Sequence, residues 1–218
     1  MIKMIAFDFD GTLADSVDFC LAVFDRVLKK YLGENAPDRE AIYQNFGMNE
    51  PGVLRHFIGR TVPEAETDFY QLHRELHPVM TPAPYPGIVE LLDELKSRKI
   101  PLAILTGRSD TTCRISMEYL DLKKYFITFR TGSPERNDKT AQLKQLAADY
   151  DLALDELIYV GDAVSDATAC HAAQVKCLSA AWAKSARIPE LEKINPGLVF
   201  TGVAKLQKYL VGQLDKTE

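Results

Sequence analysis

Two aspartates separated by one residue, Asp8 and Asp10, close an apolar run, Met4-Ile5-Ala6-Phe7, and are followed by Gly11 and Thr12. An apolar run without polar alternation suits a strand buried on both faces, as in a parallel sheet. Side chains alternate along a strand, so Asp8 and Asp10 share one side at the point where it runs out. Open parallel sheets bind ligands just past the carboxyl ends of their strands. Two carboxylates held together there repel unless they share a proton or a cation lies between them. Mg²⁺ suits such a place, because it takes hard oxygen ligands and keeps several waters. The same residues also read as a polar turn in which Gly11 supplies a positive φ.

Three later groups have the same ambiguity when taken singly. Thr106-Gly107-Arg108 follows the apolar Pro101–Leu105. A threonine hydroxyl and turn amides bind phosphate oxygens, with glycine allowing close approach; a plain turn with a solvated arginine is the other reading. Lys139 stands near the start of a helical pattern, where the macrodipole disfavours a cation unless an anion is near, although a surface lysine also fits. Gly161-Asp162-Ala163-Val164-Ser165-Asp166 follows the apolar Leu157–Val160. Two carboxylates four apart at a strand-to-helix turn serve as ligands, or merely cap the helix.

The elements that must position these residues alternate. After Ser16, an expected N-cap, Val17, Leu21, Phe24 and Leu28 recur at helical spacing, and Gly33 is expected to end that helix. Residues 38–46, 51–58 and 64–77 read as further helices, and nothing between 17 and 80 reads as a strand. Pro78, Pro82, Pro84 and Pro86 then predict an extended, semi-rigid connection. The expected division is therefore a helical insertion over 17–80 within a unit of residues 1–16 plus 81–218. Beyond Gly87, helices are expected from Ile88 to Leu95 and over 109–120, 139–150, 162–173 and 203–210. Strands are expected over 101–105, 125–130, 157–160, 175–178 and 198–200. Strand and helix in turn imply right-handed crossovers and a parallel sheet covered on both faces.

At 218 residues the chain has room for a core domain with an inserted piece. Its net charge of −5 gives no reason to expect nucleic acid or an anionic membrane as partner. Cys20, Cys113, Cys170 and Cys177 have neither metal-ligand nor disulfide-framework spacing, so buried thiols in a reducing compartment are expected. No apolar run approaches a membrane span and the N-terminus does not read as a signal peptide, which makes the cytoplasm the expected address.

Together, DFDGTLADS at residues 8–16, Thr106-Gly107, Lys139 and Gly161-Asp162 through Asp166 resemble the four motifs of the haloacid-dehalogenase-like hydrolase superfamily. The resemblance extends to the helical insertion and to the Tyr85-Pro86-Gly87 re-entry, and is closest to the phosphoglycolate-phosphatase-like subgroup with a helical cap. It implies a Rossmann-like parallel sheet with the first strand central and an all-helical cap domain. It also implies a Mg²⁺-dependent phosphatase acting on a small phosphorylated metabolite through an aspartyl-phosphate. On this resemblance Asp8 is the nucleophile and Asp10 the acid/base. Asp8, the main-chain carbonyl of Asp10 and Asp162 hold the metal, and Asp166 orients them. Thr106, Gly107 and Lys139 hold the phosphoryl group, with Arg136 an alternative to Lys139 because Thr140 stands where many relatives have proline. Phe46-Gly47-Met48-Asn49 resembles the cap loop that dips toward the site, though it also reads as a plain turn. Arg55, His56, Arg60 and His73 fit either a second substrate anion or solvated helix faces. Asp10 argues against halide displacement and ion pumping, and no lysine lies between Tyr31 and Leu95 for a phosphonate-cleaving Schiff base. A phosphomutase of the same superfamily remains the alternative; a catalytically silent relative is disfavoured because every expected position is filled.

Overall fold

The computed structural model describes residues 1–135 and 138–217. Its centre is β1 (Met4–Phe7), whose four residues are all buried. Ile5 and Phe7 face one side and Met4 and Ala6 the other, so a continuous apolar run meets two helical layers, not one layer and water. Parallel neighbours flank it: β2 (Leu102–Leu105), with Phe7 opposite Ile104, and β4 (Leu157–Gly161), with Phe7 opposite Val160. With β3 (Thr128–Arg130), β5 (Lys176–Ala180) and β6 (Val199–Phe200), the six-stranded sheet has the order β3-β2-β1-β4-β5-β6, every pair parallel. This is a Rossmann-like α/β fold.

Between the strands run α5 (Ile88–Ser97), α6 (Asp110–Tyr119), α7 (Lys139–Asp149), α8 (Val164–Ala173) and α9 (Ile188–Ile194), and α10 (Val203–Leu214) follows the last strand. Leu91, Leu92 and Leu95 of α5, Met117 of α6 and Leu206 and Leu210 of α10 pack on the Ile5/Phe7 face. Leu143 and Leu146 of α7 and Ala167 and Cys170 of α8 pack on the other. Fully burying a Leu- or Phe-sized side chain stabilises by roughly 1.5–3 kcal/mol, so this two-faced core holds the carboxyl edge of the sheet rigid.

Before α5 come four helices: α1 (Val17–Leu32), α2 (Arg39–Gln44), α3 (Glu50–Ile58) and α4 (Pro63–Met80). They share a separate apolar cluster that includes Phe19, Phe24, Leu28, Leu54 and Phe69. The chain leaves and returns through neighbouring connections: Thr81 Oγ1 donates to the Asp15 carbonyl at 3.2 Å, and Tyr85 N to the Leu13 carbonyl at 2.9 Å. Gly33 ends α1 with φ of 58°, as its missing Cβ allows.

Four expectations change. Pro78 is not part of the extended connection: α4 continues through it to Met80, because in the last turn its missing N–H removes only one helical bond. Ser16 stands at the start of α1 but makes no cap; its hydroxyl donates to Asp10 Oδ1 at 2.6 Å. The third strand is only Thr128–Arg130, since Lys123–Tyr125 forms a 3₁₀ turn. Helix α9 was not expected; at seven residues with Pro189 in its first turn it has too little periodicity to read. All four cysteines are buried free thiols, and no helix among the described residues is long and apolar enough to cross a membrane.

Candidate active site

The carboxyl ends of β1 and β4 bring the acidic residues together. Asp8 continues β1, its N–H donating to the Val160 carbonyl at 2.8 Å. Its Oδ1 accepts the Phe9 N–H at 2.7 Å and its Oδ2 accepts Lys139 Nζ at 2.9 Å. Lys139, the first residue of α7, also donates to Tyr159 Oη at 2.8 Å and to Asp166 Oδ1. The other oxygen of Asp166 accepts the Ala163 N–H at 3.1 Å, so this residue bridges the ammonium and the start of α8. Asp8, Asp162 and Asp166 each present an oxygen within 4.8 Å of the others.

Two glycines make that convergence possible. A Cβ on Gly11, whose φ is +69°, would stand 2.2 Å from Asp162 Oδ2; one on Gly161 would stand 2.3 Å from Asp166 Oδ2. Neither distance is tolerated by real atoms, so the glycines are the room into which the carboxylates fold.

Charge explains what the cluster can hold. Burial raises the Asp8 pKa, with Asp166 and Asp10 adding to it and Lys139 opposing. Burial, then Asp166 and Asp8, push Asp162 well above the carboxylate range. For Lys139 burial pulls down, but Asp166 and Asp8 outweigh it and raise the pKa, keeping the ammonium charged. With all four ionised, Asp8, Asp10, Asp162 and Asp166 would set four negative charges against the two positive charges of Lys139 and Arg108, a repulsion that the raised pKa values of Asp8 and Asp162 express. The remaining charge of −2 suits a divalent cation among hard oxygen ligands.

Asp10 belongs to a second network. Arg108 grips it with two donors, Nε to Oδ2 at 2.9 Å and Nη2 to Oδ1 at 2.6 Å. Burial alone would raise the Asp10 pKa, but Arg108, Ser16 and the Cys20 thiol more than reverse this, and Asp10 is held as a carboxylate. Arg108 is therefore not the solvated arginine of the simple turn reading: it is 3% exposed and lies over the Phe9 ring, 4.4 Å from its centroid. Its Nη1 donates to Ser116 Oγ at 2.7 Å and to His73 Nε2 at 3.1 Å. A guanidinium only donates, so His73 accepts through Nε2 and is the neutral Nδ1–H tautomer. His73 is fully buried, which rules out the solvated-face reading for it. His77 lies a turn further along α4, with Nε2 3.0 Å from Ser116 Oγ. The histidine spacing of four on one helix was the available signal, but no sequence pattern ties it to Arg108.

The other expected residues are placed as follows. Thr106 is fully buried behind the site; its N–H donates to the Arg130 carbonyl and its hydroxyl accepts the Arg108 N–H at 3.4 Å. Gly107 and Arg108 line the same cavity as Asp8, Asp10, Lys139, Asp162 and Asp166. Gly47, with Phe46 and Met48, lines it from the helical side, so that segment does reach the site. Asn49, which follows, caps α3 and donates to the Gly132 carbonyl at 3.1 Å. Glu50, missed in the sequence, accepts the Ser109 N–H at 2.7 Å and the Thr112 hydroxyl, bringing an anion from α3 to the N-terminus of α6. Arg55 reaches Glu135, not the cavity, and Arg136 lies outside the described residues. The cavity measures about 960 Å³ and lies between the sheet edge and α1–α3.

Comparison with known proteins agrees with this geometry. Residues 5–180 match the family model described as haloacid dehalogenase-like hydrolase. A phosphoglycolate phosphatase of Pseudomonas fluorescens (strain Pf-5) is 26% identical over 94% of this chain and 78% of its own length. One of Aquifex aeolicus is 27% identical over 89% of this chain and 93% of its own. The crystal structure of a predicted phosphoglycolate phosphatase from Haemophilus somnus superposes with a TM-score of 0.78 at 20% identity, covering 96% of this chain and 98% of that one. The chain belongs to the haloacid dehalogenase-like hydrolase family, and within it to the phosphatases.

Proposed function

We propose that this phosphatase hydrolyses a small phosphate monoester with Mg²⁺, through a phosphoryl group carried transiently on Asp8. The observation that carries the reading is Asp8 itself: a buried carboxylate at the cavity, oriented by the Phe9 N–H and Lys139, with a second carboxylate two residues on and gripped separately. Asp8 attacks phosphorus, and the bond from phosphorus to the alcohol oxygen breaks. The phosphoryl dianion beside Asp10 raises its proton affinity, so Asp10 binds a proton and gives it to the departing oxygen. The carboxylate form, which Arg108 favours, then takes a proton from the water that attacks the Asp8 phosphoryl group. Lys139 and Gly107, which line the cavity in front of the buried Thr106, steady the phosphoryl oxygens as their charge redistributes. Asp8, Asp162 and the Asp10 main-chain carbonyl would hold Mg²⁺, with Asp166 orienting them; the ion supplies charge neutralisation at the phosphoryl group.

On this reading residues 17–80 are a cap domain over a core of 1–16 plus 81–218, excluding water and positioning the alcohol. Four reduced thiols fit a cytoplasmic address.

The test is a rapid-mixing measurement with p-nitrophenyl phosphate, whose phenolate leaves without needing a proton. Asp10→Asn should give a burst of nitrophenol near one equivalent per enzyme, then very slow turnover, and Asp8→Asn should give none. Steady release at the parental rate by either variant would discard the mechanism. A mutase would instead pass the phosphoryl group to a phosphorylated sugar faster than to water.

A further inference from the structure

The two cations of the cavity wall have no donor left for a second anion. Arg108 has five N–H donors: they meet both oxygens of Asp10, the Cys20 sulfur, Ser116 Oγ and His73 Nε2. Lys139 has three, and they meet Asp8, Tyr159 and Asp166. Lys139 also stands at the phosphoryl end, where its Asp8 partner reacts. Apart from these two cations, the charged groups of the wall, among the described residues, are acids, and they include Glu50, held by Ser109 and Thr112, and Asp138, which caps α7. A carboxylate on the substrate's alcohol would enter beside them unpaired, which is costly in a confined site.

Besides the hydroxyls of Thr140, Ser165 and Thr168, the rest of the wall carries apolar side chains from separate elements. Tyr43, Phe46 and Met48 form one side, and the small residues Ala169 and Ala172 of α8 line another. Phe46 is braced: its ring lies 5.3 Å from that of Tyr43 and 6.1 Å from that of Phe24, which in turn sits 4.6 Å from Phe69. This ladder runs from the helical core to the cavity and makes the aromatic side a fixed surface.

Resting on the phosphatase reading above, we propose that the alcohol released from this substrate carries no second negative charge and presents an apolar, ring-sized body between the Tyr43/Phe46 side and α8. The substrate class is therefore a monophosphate of an uncharged aromatic or cyclic alcohol. It differs from phosphoglycolate, the substrate in the names of the relatives, whose carboxylate would meet Glu50 and Asp138.

Five compounds on the full chain with Mg²⁺ test this. Phosphate release is measured from benzyl phosphate, ethyl phosphate and 2-phosphoglycolate, all esters of alkyl alcohols. The expected kcat/KM for benzyl phosphate exceeds that of each other ester at least tenfold, the scale on which apolar pockets discriminate. Tyr43→Ala and Phe46→Ala should each shrink the benzyl-to-ethyl ratio at least threefold; Tyr43 is exposed enough that its loss leaves the fold intact. Equal or faster turnover of 2-phosphoglycolate would overturn the proposal. A binding arm needs no turnover: 2-phenylethylphosphonate, by calorimetry, should bind at least tenfold more tightly than 3-phosphonopropionate, and equal binding would overturn the proposal. Inert esters combined with the expected binding order would sink the phosphatase mechanism and leave the assignment of the cavity standing.

Discussion

At the scale of residues, the site is two carboxylates from one strand end kept in different electrostatic company. Asp8 faces Lys139 and the acidic cluster, while Asp10 is turned into a guanidinium. Both stand just past the end of β1, and different partners hold them. Arg108 is therefore structural as well as electrostatic. Arg108→Met should destabilise the chain by about 3 kcal/mol, the lower end for a broken buried pair, because the Asp10 side chain keeps 23% of its surface open to the cavity. Adding Asp10→Asn removes the stranded charge, so the double variant should lose less than the sum of the single ones. Urea unfolding of the four proteins checks this; strict additivity would mean that the pair is not coupled.

At the scale of elements, α4 is the piece that ties the helical layer to the chemistry. His73 meets Arg108, His77 meets Ser116 of α6, and both histidines pack against Phe19 of α1. Burial, and after it Arg108, lower the His73 pKa to about 2 and that of His77 to about 4, from 6.5. A base held neutral in the fold binds more protons once unfolded. Stability is then full above about pH 6.5 and falls as the pH drops toward 4, with His73 extending the loss below that. Thermal unfolding between pH 8 and pH 4 should show this decline, and His77→Gln, which keeps an amide near Ser116, should flatten it. A midpoint independent of pH over that range would contradict the buried neutral pair.

At the scale of the whole molecule, the fold concentrates uncompensated negative charge at the edge of its sheet, which a bound cation should relieve. Mg²⁺ at a hundred times its dissociation constant stabilises by ~2.7 kcal/mol. For a chain of this length that raises the melting temperature by about 5–10 °C. Chelation should reverse the shift and silence turnover, whereas Asp162→Asn should blunt the shift. Scanning calorimetry with and without Mg²⁺ measures it; an unchanged midpoint with wild-type protein would remove the metal from the mechanism.

The sequence by itself determined the alternation of strand and helix, the place of Asp8, Asp10, Lys139, Asp162 and Asp166 in it, and the helical stretch after Ser16. These are local properties: runs of buried β-branched and leucine residues, helical spacing, and carboxylates set where a strand ends. Proline gave a weaker signal, since its cost depends on where in the last turn it falls, and Pro78 stayed helical. What tertiary structure decided is which charges meet. Arg108 lies 98 residues from Asp10 and 35 from His73 in sequence, and Glu50 lies 59 from Ser109. A solvated arginine and a buried one look alike in sequence, because burial is conferred by elements packed against the residue from elsewhere in the chain.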